Sequence, residues 1–187
     1  MTVQGTWDDS ITVPWEKAII KLGDVIGKDN TAVVRGEVVP DKKDKKITFQ
    51  SFTAVIKIYD MKNAQNNRRA NDEIAAYGKL EKLQGMFIPR LYAAGTVWNM
   101  LKVLVLEDCG QGANEVSMTT NHCDKVRAAV GPLHMENVVH GDIELDNFAI
   151  LGERVRLIDL ERCKPGNRNE IQREKNDVQY MLKGLGD

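Results

Sequence analysis

The chain has 187 residues, 42% of them hydrophobic and 28% charged, with a formal net charge of −1 at pH 7. That is room for one domain or two small lobes sharing a cleft, with the balance of a soluble globular protein. So small a net charge supplies no field for nucleic acid or an acidic membrane surface, and no apolar stretch is long enough to span a bilayer.

The first twenty residues, MTVQGTWDDSITVPWEKAII, lack a basic region followed by a continuous apolar run. No secretory signal is expected there. Three cysteines, Cys109, Cys123 and Cys163, are widely spaced and odd in number. They argue against a disulfide framework and fit a reducing compartment, so an intracellular, cytoplasmic protein is expected. His122 beside Cys123 is a poor zinc site, because adjacent side chains rarely converge on one ion.

In chain order, TAVVRGEVV (31–39) and ITFQSFTAVIKIY (47–59) read as strands rich in β-branched and aromatic residues. Between them PDKKDKK (40–46) reads as a solvated hairpin tip, since two aspartates interrupt its lysines. A helix is predicted over 64–84, where Ile74, Tyr77, Leu80 and Leu83 recur at spacings of three and form an apolar face. Gly85 and Pro89 stop it. RLYAAGTVWN and LKVLVLEDC read as a hairpin turning near Asn99, and Gly110 and Gly112 then loosen the chain. A second helix is predicted over 122–136, with Val126, Val130 and Leu133 inward. The segments FAIL and VRLIDL read as short strands joined at GER. The last element is a polar helix over 168–183, with Ile171, Val178, Met181 and Leu182 as its apolar side. The order predicts an α+β fold with two lobes.

The stretch VVHGDIELDNFAILGERVRLIDLERC, residues 138–163, concentrates chemistry. Phosphoryl transfer needs a cation for the phosphates, a carboxylate and an amide for magnesium, and a carboxylate to orient the attacking hydroxyl. Asp142 suits the orienting role, and Asn147 and Asp159 suit the metal. The same residue types also favour turns and strand ends for purely structural reasons. Lys57, inside the β-branched segment AVIKIY, suits the cation. A lysine on an inner strand face costs desolvation unless a carboxylate meets it, and Glu73 on the following helix is such a carboxylate. Alternation puts Val55, Lys57 and Tyr59 on one face and leaves open whether that face is inner or outer.

Taken together, these segments resemble a protein-kinase-like fold. AVIK resembles the V-A-I-K strand, Glu73 stands where that fold keeps its helix-C glutamate, HGDIELDN resembles H-R-D-x-x-x-x-N, and IDLE resembles the D-F-G segment. LHMENVVHGDI, IDLERC and NDEIAAYGKLEKLQGMFIPRLYAAG are similar to short fungal kinase-like proteins, and the HGD form is shared with the minimal kinase of the KEOPS complex and the aminoglycoside phosphotransferases. The likeness covers roughly residues 20–183. It implies an N-lobe over 1–106, with a twisted antiparallel sheet and one helix, and a hinge with a truncated helical C-lobe over 107–187. It implies ATP and Mg2+ as cofactors, with Lys57 on phosphate, Glu73 orienting it, and Asp142 as the catalytic carboxylate. Gly27, Val34 and the hinge residues Glu107, Asp108 and Cys109 of LVLEDCG would line the nucleotide. Asp177 would anchor the catalytic loop, and His140 would pack against the metal-binding segment.

The departures from that pattern matter. GKDNTAVV (27–34) puts Gly27, Asp29 and Ala32 where three phosphate-covering glycines belong. Like charges about 4 Å apart repel by about 4 kcal/mol at an effective dielectric of about 20, so nucleotide binding is expected to be weak or magnesium-dependent. Gly141 replaces the arginine that would receive a phosphorylated activation loop, so that switch is not expected. Leu160 and Glu161 replace Phe and Gly, and only 28 residues follow Asp159. Substrate recognition is then expected from a partner or from the 162–170 loop. Two expectations result: a minimal phosphotransferase, or a pseudokinase-like module whose exposed apolar surface is covered by a protein partner or a second copy.

Overall fold

Five strands within the first 107 positions, rich in apolar residues and several of them in β-branched ones, assemble one antiparallel sheet. The computed structural model describes residues 6–7, 11–13, 15–27, 31–43 and 49–185. Asp29 and residues 44–46 of the charged tip lie outside the described residues. The fold is mixed α+β, and it divides into two compact units: the residues up to Ala70 with Arg90–Asp108, and Asn71–Pro89 with the residues from Cys109 on.

In the first unit, β1 (Thr6–Trp7) and β2 (Ile11–Thr12) pair as a small hairpin. The sheet consists of β3 (Ala18–Val25), β4 (Ala32–Pro40), β5 (Phe52–Asp60), β6 (Leu91–Val97) and β7 (Leu101–Glu107), in the order β3-β4-β5-β7-β6. Strand β3 is absent from the sequence reading. It lies at the sheet edge with Ile19, Leu22 and Val25 exposed, and its register shifts between Leu22 and Val25. No one-sided burial pattern therefore marks it in sequence. On one face Ala54 and Ile56 pack with Val13, Trp15, Val38, Phe49, Val103 and Val105. Full burial of a side chain such as Ile56 contributes about 1.5–3 kcal/mol. The opposite face carries Val55, Lys57 and Tyr59, with Val33 and Leu104 directly opposite Lys57.

Helix α1 (Ala64–Lys79) begins where the Asn63 side chain accepts from the amides of Gln65 and Asn66. In its first half, Asn67 Oδ1 accepts from Lys102 Nζ of β7 at 3.1 Å. The helix is shorter than the predicted 64–84. Its last turn tightens into a 3-10 segment, Glu81–Leu83, in which the Leu83 amide donates to the Leu80 carbonyl.

The second unit continues through β8 (Gln111–Gly112), α2 (Thr120–Met135), β9 (Val138–Val139), β10 (Phe148–Leu151), β11 (Arg154–Leu157), β12 (Lys164–Pro165) and α3 (Arg168–Met181). Its sheets run β11-β10-β8 and β12-β9. Gly110 precedes β8 at φ +95, where a Cβ would overlap the Ile150 carbonyl oxygen. Helix α2 starts two residues before the predicted boundary because Thr119 caps it. Thr119 Oγ1 accepts from the His122 amide, and His122 Nδ1 accepts from the Thr119 amide. His122 Nε2–H donates to the Gly152 carbonyl at 3.0 Å, so this ring is committed to the fold. Val126, Val130 and Leu133 are buried as the helical spacing predicts. Helix α3 opens with a reciprocal cap between Asn167 and Glu170. The Asn167 amide, with Lys164, holds the Glu170 carboxyl below its ordinary range. No helix among the described residues is long and apolar enough to cross a membrane.

Candidate functional site

The loop leaving β9 is organised by one buried carboxylate of α3. Glu174 Oε2 accepts from the His140 amide at 3.1 Å and from His134 Nε2 at 2.7 Å, and Oε1 accepts from the Gly141 amide at 2.7 Å. Hydrogen bonds to a charged acceptor are roughly twice as strong as neutral ones. Asp177, expected to do this, is exposed. Glu174 shares the buried side of α3 with Val178, and that side alone reaches the loop. His140 is fully buried, and its Nε2–H donates to the Ile158 carbonyl at 2.9 Å. It thus packs beside Asp159, the segment expected for it. Gly141 has φ +83, and a Cβ there would stand 2.8 Å from the Arg162 carbonyl oxygen. Close backbone approach and a left-handed conformation together account for glycine where the resembled motif carries arginine.

Asp142 and Asn147 are brought together. Asn147 Nδ2 donates to the Asp142 carbonyl at 2.8 Å and lies 3.4 Å from its Oδ2. The Ile158 amide donates to the Asn147 carbonyl at 2.8 Å, which sets the strand before Asp159 against the 3-10 turn Leu145–Asn147. Strand β11 ends at Leu157, short of the predicted VRLIDL, because Ile158 makes this turn contact. Asp159 then takes φ 62, ψ 68, a left-handed conformation that costs a non-glycine residue about 1–2 kcal/mol. One partner was not foreseen: Arg162 Nη1 donates to Asp142 Oδ1 at 2.9 Å. Nothing local in the sequence announces it.

With Nδ2 engaged by Asp142, the amide oxygen of Asn147 is the end that a cation would meet. Magnesium characteristically takes one or two protein carboxylates, with water and substrate phosphates completing its shell. Asn147 and Asp159 offer an amide oxygen and a carboxylate, donor types of the kind such a shell takes. No three His, Cys, Asp or Glu side chains converge on a metal position among the described residues.

Glu73 is fully buried in α1 and not on a solvated face of that helix. One turn on, Tyr77 is also fully buried. Burial first, and then the neighbouring Glu73, Cys109, Asp159 and Cys163, push its hydroxyl well above its ordinary value. Burial, followed by Glu174, Glu73 and Asp159, pushes the Cys163 thiol up in the same direction. Glu73 and Asp159 therefore contribute to one negative neighbourhood within the second unit.

In the first unit Lys57 is 8% exposed, which excludes a surface-facing strand lysine. Val34 stands opposite Ile56, on the other face of the sheet, and Val33 is the residue that shares Lys57's face. Strict alternation puts neighbours on opposite sides, so Val33 replaces Val34 beside Lys57. The amides of Ile26 and Gly27 both donate to the Val33 carbonyl at the end of the β3–β4 connection. At the expected hinge, Glu107 accepts from the Arg90 amide through its carboxylate at 3.1 Å. Asp108 forms a two-point pair with Arg35 at 2.8 and 3.2 Å. Cys109 is buried and belongs to the second unit. No family model matches the chain, and no curated protein matches its sequence.

Proposed function

We propose that the protein is a minimal, bilobal, protein-kinase-like phosphotransferase that moves the γ-phosphoryl group of ATP to an acceptor hydroxyl with magnesium. The observation that carries this reading is the junction of Asp142, Asn147 and the residue before Asp159, held by hydrogen bonds of 2.8 Å. A turn built only for folding does not require Asn147 to be tied both to Asp142 and to the residue before Asp159. In the proposed roles Asp142 orients the acceptor hydroxyl and takes its proton as the new P–O bond forms and the bond to the ADP oxygen breaks. Lys57 holds phosphate, Glu73 orients that lysine, and Asn147 and Asp159 hold magnesium. Bound magnesium would neutralise charge on the phosphates. Gly27, Val33 and the hinge residues Glu107 to Cys109 line the nucleotide.

Asp142→Asn abolishes turnover while leaving nucleotide affinity within about twofold, and turnover equal to the parent protein sinks the mechanism. ATP at about 100 times its dissociation constant stabilises by about 2.7 kcal/mol. That stabilisation is expected to need magnesium and to vanish in Asp159→Asn.

A second reading has one specific observation in its favour. The Arg162 guanidinium occupies Asp142 Oδ1 at 2.9 Å, an oxygen that an acceptor hydroxyl would need, as befits a pseudokinase-like module that binds a protein partner or a second copy without chemistry. Arg162→Ala separates the readings. Turnover rises if Arg162 merely restrains an active carboxylate, whereas no nucleotide-dependent stabilisation in either protein favours the binding module.

A further inference from the structure

We propose that β3 is a self-association edge, which pairs antiparallel with β3 of a second copy about a two-fold axis level with Leu22–Gly23. The proposal does not depend on the phosphotransferase reading. Strand β3 ends the five-stranded sheet, and no described strand pairs with its outer side. Ile19, Lys21, Leu22, Asp24 and Val25 are all exposed. The backbone amides and carbonyls of such an edge are a template for another strand.

The edge carries its own complement. Read antiparallel against itself about Leu22–Gly23, IIKLGDVI (19–26) sets Lys21 opposite Asp24, Ile20 opposite Val25 and Ile19 opposite Ile26. The two-fold axis makes every such contact occur twice. Opposite charges and paired β-branched side chains both stabilise neighbouring strands. With a net charge of −1, the copies repel one another little.

The backbone of β3 makes this register workable. Residues opposed on antiparallel strands point to the same face, whereas residues three apart in a regular strand, such as Lys21 and Asp24, point to opposite ones. The shifted register removes the conflict. Leu22 stands opposite Gly36 and Val25 opposite Val34, so three steps along β3 match two along β4. Ile20, opposite Val38, therefore shares a face with Val25. On the other face Lys21 stands opposite Glu37, and Asp24 lines the same open groove as Lys21, Arg35 and Glu37. A bulge ordinarily twists an edge away from foreign strands. A second copy brings the same bulge at the same level, which is the reason for choosing it over an unrelated strand. Gly23, at the crossing, has no side chain to hold the strands apart. Lys21 Nζ donates to Glu37 at 3.2 Å in an exposed pair, and its three donors allow it to meet Asp24 of the second copy as well.

The test is sedimentation of the full chain through the micromolar range, with Asp24→Lys, with Lys21→Asp, and with an equimolar mixture of the two variants. Both positions are exposed, so neither substitution is expected to disturb the fold. The parent protein should sediment as a concentration-dependent dimer. Each variant alone opposes like charges at both crossings, and its dimer dissociation constant should rise at least about tenfold. The mixture again opposes unlike charges at both crossings, and it should form a mixed dimer close to the parent's affinity. Such a rescue needs both chains folded and fixes the register. A parent protein that stays monomeric throughout the range overturns the proposal. So does an Asp24→Lys chain that dimerises like the parent, or a mixture that associates no more tightly than its components.

Discussion

At the scale of single residues, Glu174 carries more of the candidate site than any residue within it. Its carboxylate meets the His140 and Gly141 amides and His134 Nε2. Glu174→Ala leaves these donors buried and unmet, and breaking such a buried charged network costs about 3–5 kcal/mol. Urea unfolding should show a lower midpoint with little change in slope. Asp177→Ala, at an exposed position, should stay within about 0.5 kcal/mol of the parent. Equal effects of the two substitutions would refute the assignment. Choosing between the two acids was beyond sequence reasoning, because both lie on a polar helix and only packing decides which one turns inward. The signal was present but faint: Glu174 precedes Val178 by one helical turn, on the side predicted to be apolar. Lys57 and Glu73 show the same limit. Their types and order were legible, while their burial came only from the sheet face and helix face on which they landed.

Among the elements, the β6–β7 turn shows how local chemistry can be legible and still surprise. The sequence places a turn near Asn99, and the Met100 amide donates to the Val97 carbonyl at 3.1 Å across it. Both central residues have positive φ, 52° at Trp98 and 53° at Asn99, the pattern of a type I′ turn that prefers Asn-Gly. A bulky aromatic in the left-handed region is strained, and Trp98 is 80% exposed, so little packing offsets the strain. Replacing Trp98-Asn99 with Asn-Gly should raise stability by about 1 kcal/mol, checked by the denaturant midpoint. An unchanged or lower midpoint would mean that the indole contributes to packing despite its exposure. Strand β3 stands at the other extreme. An edge strand with exposed apolar residues and a shifted register has no period for a sequence reading to detect.

For the whole molecule, charge and exposed apolar surface act together. The net charge is −1 at pH 7 and the isoelectric point is near 6.3, so electrostatic repulsion between copies is weakest close to neutral pH. Ile19, Leu22 and Val25 lie exposed along β3, at an edge of the kind that invites association. Light scattering should therefore rise as pH approaches about 6.3, and Leu22→Lys should suppress that rise. Scattering that ignores both the pH and the substitution would show that β3 is not the adhesive element.

Residue order alone determined the α+β class, most of the strands and helices, the turn near Asn99, and the succession of Lys57, Glu73, Asp142, Asn147 and Asp159. These follow from short-range rules, namely alternation, helical spacing and turn preference, which act over a few neighbouring residues. Tertiary structure decided the rest: Glu174 rather than Asp177 beneath the loop, Val33 rather than Val34 on the face of Lys57, Arg162 on Asp142, and Arg35 joined to Asp108 across 73 positions. Each of these is settled by which surfaces the chain buries when distant segments meet, and burial is a property of the packed molecule that no local window contains.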